Sequence, residues 1–257
     1  MPSYNFPMPN ADQPSAQVAA KARGEAIHIT GISSMATRQV LAELMGAFSE
    51  RTGHTVAIES VGGVDAAKRV QAGEAFDVAI LASDAIDKLI ASGAIAAGSK
   101  LDLVRSGVAV AVRAGAALPD IASEEAVKHA VLAAKSISYS TGPSGVALAK
   151  LFERWSIADD IKGRMVQAPP GVPVGTLVAS GEVALGFQQL SELLHVDGIT
   201  VVGPLPATIQ ITTNFSAGLP ARRDMDKTRT AAIKSLLNFI TSPEADAAKR
   251  CQGMEPC

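Results

Sequence analysis

The alternation of short apolar runs with amphipathic helical segments predicts an α/β fold with mostly parallel sheets. Residues 26–30 have the composition of a strand, and residues 37–52 follow with apolar side chains at helical spacing. Residues 76–81, FDVAIL, form a nearly continuous apolar run, which is typical of a strand buried on both faces. The same alternation continues towards the C-terminus, so strand–turn–helix units make up most of the chain.

Glycine and proline mark the ends of several predicted elements. Gly53 closes the first helix, because glycine tolerates the positive φ that often follows a helix. Pro173 interrupts a helical segment early, and Pro243 occupies the first position of a final helix. Strands are predicted at 26–30, 55–61, 76–81, 107–112, 136–140, 165–167 and 183–187, and helices at 37–52, 65–72, 85–92, 124–133, 145–155, 172–180, 227–240 and from 242 onward.

Composition excludes several classes of partner. The 23 Lys and Arg residues against 25 Asp and Glu give a net charge of −2, which supplies no basic field for nucleic acid or an anionic membrane. Aromatic residues make up only 4% of the chain, too few for platforms that stack bases or sugar rings. No nucleotide-binding fingerprint or serine-hydrolase elbow occurs. We therefore expect a small-molecule ligand, no nucleic-acid partner and no cofactor.

The only cysteines, Cys251 and Cys257, lie in the terminal segment CQGMEPC. Their spacing allows a small loop-closing disulfide in an oxidising compartment, and two exposed thiols are an equally open alternative. No histidine or further cysteine lies near them in sequence, so no metal site is predicted.

Residues 1–24 are predicted to be a flexible N-terminal lead. They are rich in Pro, Asn, Gln and Ala but lack the basic start and the apolar run of a secretory signal. Three interpretations of the segment stay open: the beginning of a chain whose signal has been removed, an artificial start, or a true cytoplasmic N-terminus. No run of about 18 apolar residues occurs, so no transmembrane span is predicted.

Two turns share a design suited to anions. Gly31–Ser34 and Thr141–Gly145 each follow an apolar strand, contain free hydroxyls and precede an amphipathic helix. The first turn of a helix has unpaired N–H groups and the positive end of the helix dipole, so a carboxylate or oxyanion is stabilised there. Two such turns predict two lobes that face one ligand.

From about residue 26 to 256 the chain resembles type II periplasmic solute-binding proteins, in particular the molybdate-binding component of ABC transporters. The segments that carry the resemblance are AIHITGISSMATRQVLAELMGAFSERTG, VGGVDAAKRVQAGEAFDVAILAS, STGPSGVALAKLFERWSI, LVASGEVALGFQQLSE and LLNFITSPEADAAKR.

The resemblance implies a two-lobed fold with hinge-crossing strands and an interlobe cleft. The crossings are expected near 103–112 and 210–219, with lobe 1 at 25–105 plus 212–257 and lobe 2 at 106–211. It further implies a monomer that is located in the periplasm and delivers its ligand to an ABC transporter permease. A cytoplasmic small-anion sensor stays open, because no signal peptide is visible in the chain.

The resemblance also places the ligand-binding residues. The first-loop serine of the family corresponds to Ser34, with Ser33 beside it, and the third-loop position corresponds to Ser144, beside Gly145. The second-loop serine of the molybdate binders falls at Gly63, after Gly62, so its hydroxyl is missing. The fourth contact falls around Gly171 and Val172 in the unusual segment APPGVPVG, and the family's tyrosine corresponds to Gln189, next to Gln188. Ser33 and Ser34 are open to a second interpretation, as caps of the first helix.

These departures favour a small di- or tricarboxylate over molybdate. The site loses a serine and a tyrosine and gains two glutamines, which donate to carboxylate oxygens without adding charge. Aconitate isomerases, a subgroup with this fold, move a double bond within a tricarboxylate, which makes an isomerase the alternative function. An allylic proton shift needs a positioned base. The catalytic base is not identified by the sequence, and the candidates near strand ends are Glu59, Asp65, Asp84 and His28.

Overall fold

The predicted alternation of strands and helices is present in a computed structural model, which describes residues 26–169, 171–221 and 226–257. The predicted lead, residues 1–24, lies outside the described residues. The strands are β1 (His28–Ser34), β2 (Thr55–Val61), β3 (Val78–Ala82), β4 (Leu101–Arg113), β5 (Ile137–Tyr139), β6 (Met165–Gln167), β7 (Leu185–Gln189), β8 (Ile199–Pro204), β9 (Thr212–Gly218) and β10 (Glu255–Pro256).

The helices fill the connections between these strands. The α-helices are α1 (Arg38–Thr52), α2 (Gly63–Gln71), α3 (Ser83–Ala91), α4 (Glu124–Ala133), α5 (Pro143–Arg154), α6 (Ala158–Ile161), α7 (Val174–Ser180), α8 (Leu190–Leu193), α9 (Lys227–Thr241) and α10 (Asp246–Cys251). Short 3₁₀ turns occupy Met35–Thr37, Lys162–Arg164, Ala207–Ile209 and Pro243–Ala245.

One long strand, β4, belongs to two sheets. Its residues 101–107 pair with β9 in a first sheet of order β2-β1-β3-β9-β4-β10. Its residues 108–113 pair with β7 and β8 in a second sheet of order β8-β4-β7-β5-β6. The strand expected near 103–112 is β4, which pairs in both sheets. The strand expected near 210–219 is β9, which pairs only in the first sheet.

The expectation of mostly parallel pairing is wrong. Strand pairs β1–β2, β1–β3, β5–β6 and β5–β7 are parallel. Every antiparallel pair among the described strands contains β4 or β9. The reason is that β9 runs against both β3 and β4 in the first sheet, while β4 runs against β7 and β8 in the second.

Several predicted boundaries shift by a few residues. Strand β4 begins at Leu101 instead of residue 107, and the helix predicted from residue 172 begins at Val174, after its N-cap Pro173. The predicted strand 183–187 lies at Leu185–Gln189. Strand β8 was not predicted, and its residues are only half-buried.

Helices pack on both faces of the first sheet. Helix α1 buries one stripe of apolar side chains, namely Val40, Leu41, Leu44, Met45 and Phe48, and it ends at Gly53 with φ of 76°. This stripe forms a core with the buried face of α9 and with Ile29, Ile80 and Phe215 of the sheet. Helices α2 and α3 cover the opposite face through Ala66, Val70, Ile86 and Leu89. Burial of each large aliphatic side chain contributes about 1.5–3 kcal/mol.

The two sheets meet where Gly107 packs against Gln210. The Oε1 atom of Gln210 accepts hydrogen bonds from the backbone N–H groups of Val108 (3.0 Å) and Ile211 (2.9 Å). A Cβ at Gly107 would lie 3.0 Å from the Gln210 amide, so a side chain there would push the amide away. This glutamine therefore joins β4 to the segment that leads into β9, at the junction of the sheets.

Helix α5 starts in close contact with the end of β5. A Cβ at Gly145 would lie 1.8 Å from the carbonyl oxygen of Ser140, so only glycine fits there. We expect Gly145→Ala to displace the start of α5 and to lower the free energy of unfolding by about 1–3 kcal/mol, measured by urea denaturation. The matched control is Gly46→Ala in α1, where a Cβ meets nothing within 4 Å and alanine should stabilise the helix by up to about 1 kcal/mol. Equal stability of both variants would contradict the prediction.

Candidate functional site

A cavity of about 620 Å³ lies between the strand ends of the two sheets. Its lining includes Ser34 at the end of β1, Ala82 at the end of β3, Gln189 at the end of β7 and Ser140 after β5. Ligand sites in α/β proteins form beyond the carboxyl ends of the strands, and this cavity has that position. Its volume is that of a small-molecule site.

Three helices begin at the cavity. Its lining contains the first residues of α2 (Gly63 and Val64), of α3 (Asp84) and of α5 (Pro143 and Ser144). Each helix start presents N–H groups that lack an intrahelical acceptor, together with the positive end of the dipole. The cavity is therefore suited to a ligand with more than one negative group.

The hydroxyl of Ser34 is free for a ligand. Ser34 precedes the 3₁₀ turn after β1, but its side chain forms no capping bond, which argues against the alternative role as a cap. Its Oγ is buried and has no hydrogen-bond partner among the described residues. Ser33, in contrast, does not line the cavity, because its Oγ is bonded to Ser60 Oγ at 2.8 Å.

The glycine pair before α2 lies beside this serine. A Cβ at Gly63 would lie 3.6 Å from the Cβ of Ser34, which is an ordinary contact distance. Both Gly62 and Gly63 line the cavity. The volume that a serine side chain would occupy at Gly63 is therefore open to the ligand.

The second predicted turn contributes Ser144 to the same cavity. Ser144 is nearly buried, and its Oγ lies 3.4 Å from Ser140 Oγ. Gly145 does not line the cavity, because it faces the backbone of Ser140 and fixes the position of α5. Ser34 and Ser144, from turns far apart in sequence, thus face one shared space.

The two glutamines at the end of β7 have different roles. The Oε1 atom of Gln188 accepts a bond from Gly175 N at 3.3 Å, and its Nε2 donates to Glu192 Oε2 at 2.7 Å. Gln189 donates from Nε2 to Thr213 Oγ1 at 2.7 Å, while its buried Oε1 has no partner among the described residues. Gln189 therefore has unused hydrogen-bonding capacity at the cavity, whereas Gln188 holds its neighbour in position.

The loop after β6 closes one side of the cavity. Ala168, Pro169, Gly171, Val172 and Pro173 line it, and Val172 remains partly exposed. The backbone N of Gly171 lies 3.8 Å from where a Cβ on Gly62 would be. The loop thus approaches the start of α2 from the opposite side of the cavity.

Of the four candidate bases, only Asp84 lines the cavity. Its side chain is exposed and lies 3.6 Å from Lys88. Glu59 is bound by both terminal nitrogens of Arg69 at 2.7 and 2.8 Å, and these bonds lower the pKa of its carboxyl. Asp65 is outside the lining, and His28 begins β1 at the end opposite to Ser34.

Sequence reasoning missed Glu192, the other carboxylate in the lining. Burial raises its pKa from the ordinary 4.5 to about 7, although the bond from Gln188 acts in the opposite direction. The available signal was a carboxylate three residues after Gln189, in the turn that follows a buried strand. The rest of the lining is neutral except for Asp84, Lys68 and Lys88, whose side chains are all exposed.

The described ranges contain no cluster of three or more His, Cys, Asp or Glu side chains that could hold a metal ion. Cys251 and Cys257 are both exposed and do not form a disulfide with each other, so each is a free thiol in this structure. None of the helices in the described ranges is long and apolar enough to cross a membrane.

The comparisons with known proteins agree with this architecture. Residues 29–255 match the family model of the bacterial extracellular solute-binding proteins. The chain belongs to this family. Among its relatives, an aconitate isomerase from a Pseudomonas species is 36% identical over 236 residues, which cover 89% of this chain and 87% of the relative.

Solved structures show that this solute-binding protein has the type II periplasmic binding fold. The periplasmic molybdate-binding protein of Azotobacter vinelandii has a TM-score of 0.71 at 20% identity, covering 88% of this chain and 98% of that one. PEB3, a Campylobacter jejuni protein solved with L-phospholactate bound, has a TM-score of 0.69 at 14% identity, covering 89% and 100%. These similarities establish the fold.

The raised pKa of Glu192 has a consequence for stability. Because the folded pKa is about 7 and the ordinary value is 4.5, the unfolded chain loses this proton at a lower pH than the folded chain does. The free energy of unfolding should therefore fall as pH rises between these two values and level off above pH 7.

Denaturation of wild type and Glu192→Gln at pH 5 and pH 7.5 tests this expectation. The glutamine variant should be more stable than wild type by about 2 kcal/mol at the higher pH, and the two should be similar at the lower pH. A stability difference that does not change with pH would show that the carboxyl titrates normally.

Proposed function

We propose that this solute-binding protein binds a small unsaturated tricarboxylate in the cavity and shifts its carbon–carbon double bond, as an aconitate isomerase does. The observation that carries the ligand class is the pair of unpartnered buried atoms, Ser34 Oγ and Gln189 Oε1, in a cavity where three helices begin. The reaction is supported by the relative, which matches most of both chains.

The size and polarity of the cavity support a polycarboxylate over a compact oxyanion. A tetrahedral oxyanion would occupy a small part of about 620 Å³ and would reach few of the donors at once. A tricarboxylate has three groups to distribute among the helix starts. Proposed contacts are with Ser34, Gly62, Gly63, Ser144, Val172 and Gln189, while Ser33, Gly145 and Gln188 hold these residues in place.

Gln189 suits a carboxylate because its amide can turn. The Thr213 hydroxyl, its present partner at 2.7 Å, can act either as acceptor or as donor. After a turn of about 180°, Thr213 donates to the amide oxygen and the amide nitrogen becomes free to donate to the ligand. This rearrangement supplies a neutral donor without breaking the contact with β9.

Closure of two lobes over the ligand is part of the proposal. Residues 25–105 with 212–257 form one lobe and residues 106–211 the other, with the hinge where Gln210 joins β4 to the segment that leads into β9. The approach of Gly171 to Gly62 supports this arrangement, because these residues belong to opposite lobes.

The second candidate function is capture of the same ligand for delivery to an ABC transporter permease, by a monomer in the periplasm. Membership of the extracellular solute-binding family favours it. The fold itself does not decide between the two, since structural neighbours bind molybdate in one case and L-phospholactate in another. Catalysis is the property that separates the two candidates.

Proton NMR of trans-aconitate mixed with the protein in deuterated water tests for catalysis. We expect signals of cis-aconitate to appear and deuterium to enter the substrate, because an allylic shift passes a carbon-bound proton through the site. Buffer and heat-denatured protein are the controls. An unchanged spectrum together with binding of trans-aconitate in titration calorimetry would leave transport as the function.

Gly63→Ser tests the position of the ligand. The new hydroxymethyl group fits beside Ser34 at ordinary contact distance and reduces the volume available to a tricarboxylate. We expect calorimetry to show tricarballylate, a saturated analogue, binding about tenfold more weakly, which corresponds to about 1.4 kcal/mol. Gly163→Ser, at a site where a Cβ meets nothing within 4 Å, is the control. Unchanged affinity in Gly63→Ser would place the ligand elsewhere.

A further inference from the structure

Glu192 is unusual among the charged groups at the cavity. Lys68, Lys88 and Asp84 are largely exposed, and each lies beside an oppositely charged side chain on its own helix. Glu192 is partly buried and forms no ion pair with a described residue. No described histidine or tyrosine lines the cavity. Glu192 is thus the one shielded ionisable group among the described lining residues.

An acidic side chain is unfavourable for a site that only binds anions. An ionised carboxylate repels the carboxylates of the ligand, and the weak screening of a partly buried site increases this repulsion. A site that only captures its ligand would be better served by a neutral amide. The presence of Glu192 in this position therefore indicates a role in which a proton is gained and lost.

The Glu192 carboxyl is held in a fixed position by its neighbours. Gln188 donates to its Oε2 at 2.7 Å, and Gln188 is itself fixed by the backbone N–H of Gly175. Gln188 is only 3% exposed, so it cannot move freely. Glu192 Oε1 has no hydrogen-bond partner among the described residues, which leaves one oxygen for a ligand.

We infer that Glu192 is the catalytic base of the proposed isomerisation, an assignment that rests on the proposed function. Its carboxylate oxygen removes a proton from the methylene carbon of trans-aconitate, and the electrons of that C–H bond form the new double bond. The electrons of the old double bond take up a proton from the Glu192 carboxylic acid at the former vinylic carbon. The carboxylate is regenerated, and no oxidant or reductant is needed.

The cavity contains donors that can stabilise the negative charge that develops on the substrate during this step. Removal of the proton delocalises negative charge onto the adjacent substrate carboxylate, where the helix starts and the Ser34 hydroxyl are available as donors. The raised pKa of Glu192 suits the role, because a carboxyl that titrates near neutral pH can both accept and return a proton there.

Glu192→Gln is the decisive variant, because glutamine keeps the shape and the acceptor for Gln188 but cannot take a proton. We expect kcat for trans-aconitate to fall by about 10²–10⁴-fold. The Kd of tricarballylate, which has no double bond to shift, should not rise, because the amide removes the repulsion between Glu192 and the ligand. Glu182→Gln, an exposed glutamate outside the cavity, should keep wild-type kcat.

The pH profile separates catalysis from a structural role. Wild-type kcat/KM should rise with pH on a limb with a midpoint near 7, because the base must be ionised. If the glutamine variant does not fold, Glu192→Asp is the variant that tests the base. Its kcat should be at least about tenfold lower than that of the wild type, and it should still bind tricarballylate. A rising limb that persists in the residual activity of Glu192→Gln would point to another base.

The outcomes distinguish this inference from the proposed function. If the wild-type protein produces no cis-aconitate and no deuterium exchange, the proposed function is wrong and the assignment falls with it. If the wild type is active and Glu192→Gln or Glu192→Asp keeps wild-type kcat, only the assignment of the base is overturned. If Asp84→Asn abolishes turnover while Glu192→Gln remains active, the base is Asp84.

Discussion

The site depends on the hydrogen bonding of β4 into two sheets. Its 13 residues pair with β9 on one side of residue 107 and with β7 and β8 on the other. Because a single strand joins the sheets, the strand ends that carry Ser34 and Gln189 face each other. Residues 108–111 of β4, next to the junction of the sheets, are almost fully buried.

Electrostatics in the cavity rely on dipoles more than on ionised side chains. Both lysines in the lining extend into solvent beside a carboxylate of their own helix, where their interactions are screened. A buried cation next to Glu192 would have stabilised its ionised form and lowered its pKa. In the proposed function, helix starts and neutral amides would attract the anionic ligand without fixing the charge state of this glutamate. Anion binding and proton transfer are therefore compatible in one small space.

Much of this arrangement could be predicted from the sequence. Local pattern predicted that Ser34 and Ser144 lie where an apolar strand gives way to an amphipathic helix. The predicted turn Gly31–Ser34 is instead the end of β1, and Ser144 lies in the first turn of α5. Local pattern did not mark Gln188 and Gln189; the family resemblance predicted that they bind the ligand. Strand β8 was missed because its half-buried residues give no clear alternation.

Glu192 could not be found in the same way, since its properties depend on packing. In the sequence it is one acidic residue in a short helical turn, and that pattern is common on protein surfaces. Burial raises its pKa, and burial depends on how the whole chain packs, which no local pattern encodes. The sequence also does not show why residue 145 must be glycine, because the reason is the close approach of the Ser140 carbonyl oxygen in the folded structure.

The topology of the first sheet also determines when this half of the protein can form during synthesis. Strand β9 lies between β3 and β4, and the core beneath the sheet is completed by Ile233, Leu236 and Ile240 of α9. The ribosome must therefore release almost the whole chain before β3 can pair with β9 and before α9 can complete this core. Until then this part of the nascent chain lacks a complete core, which leaves it accessible to chaperones.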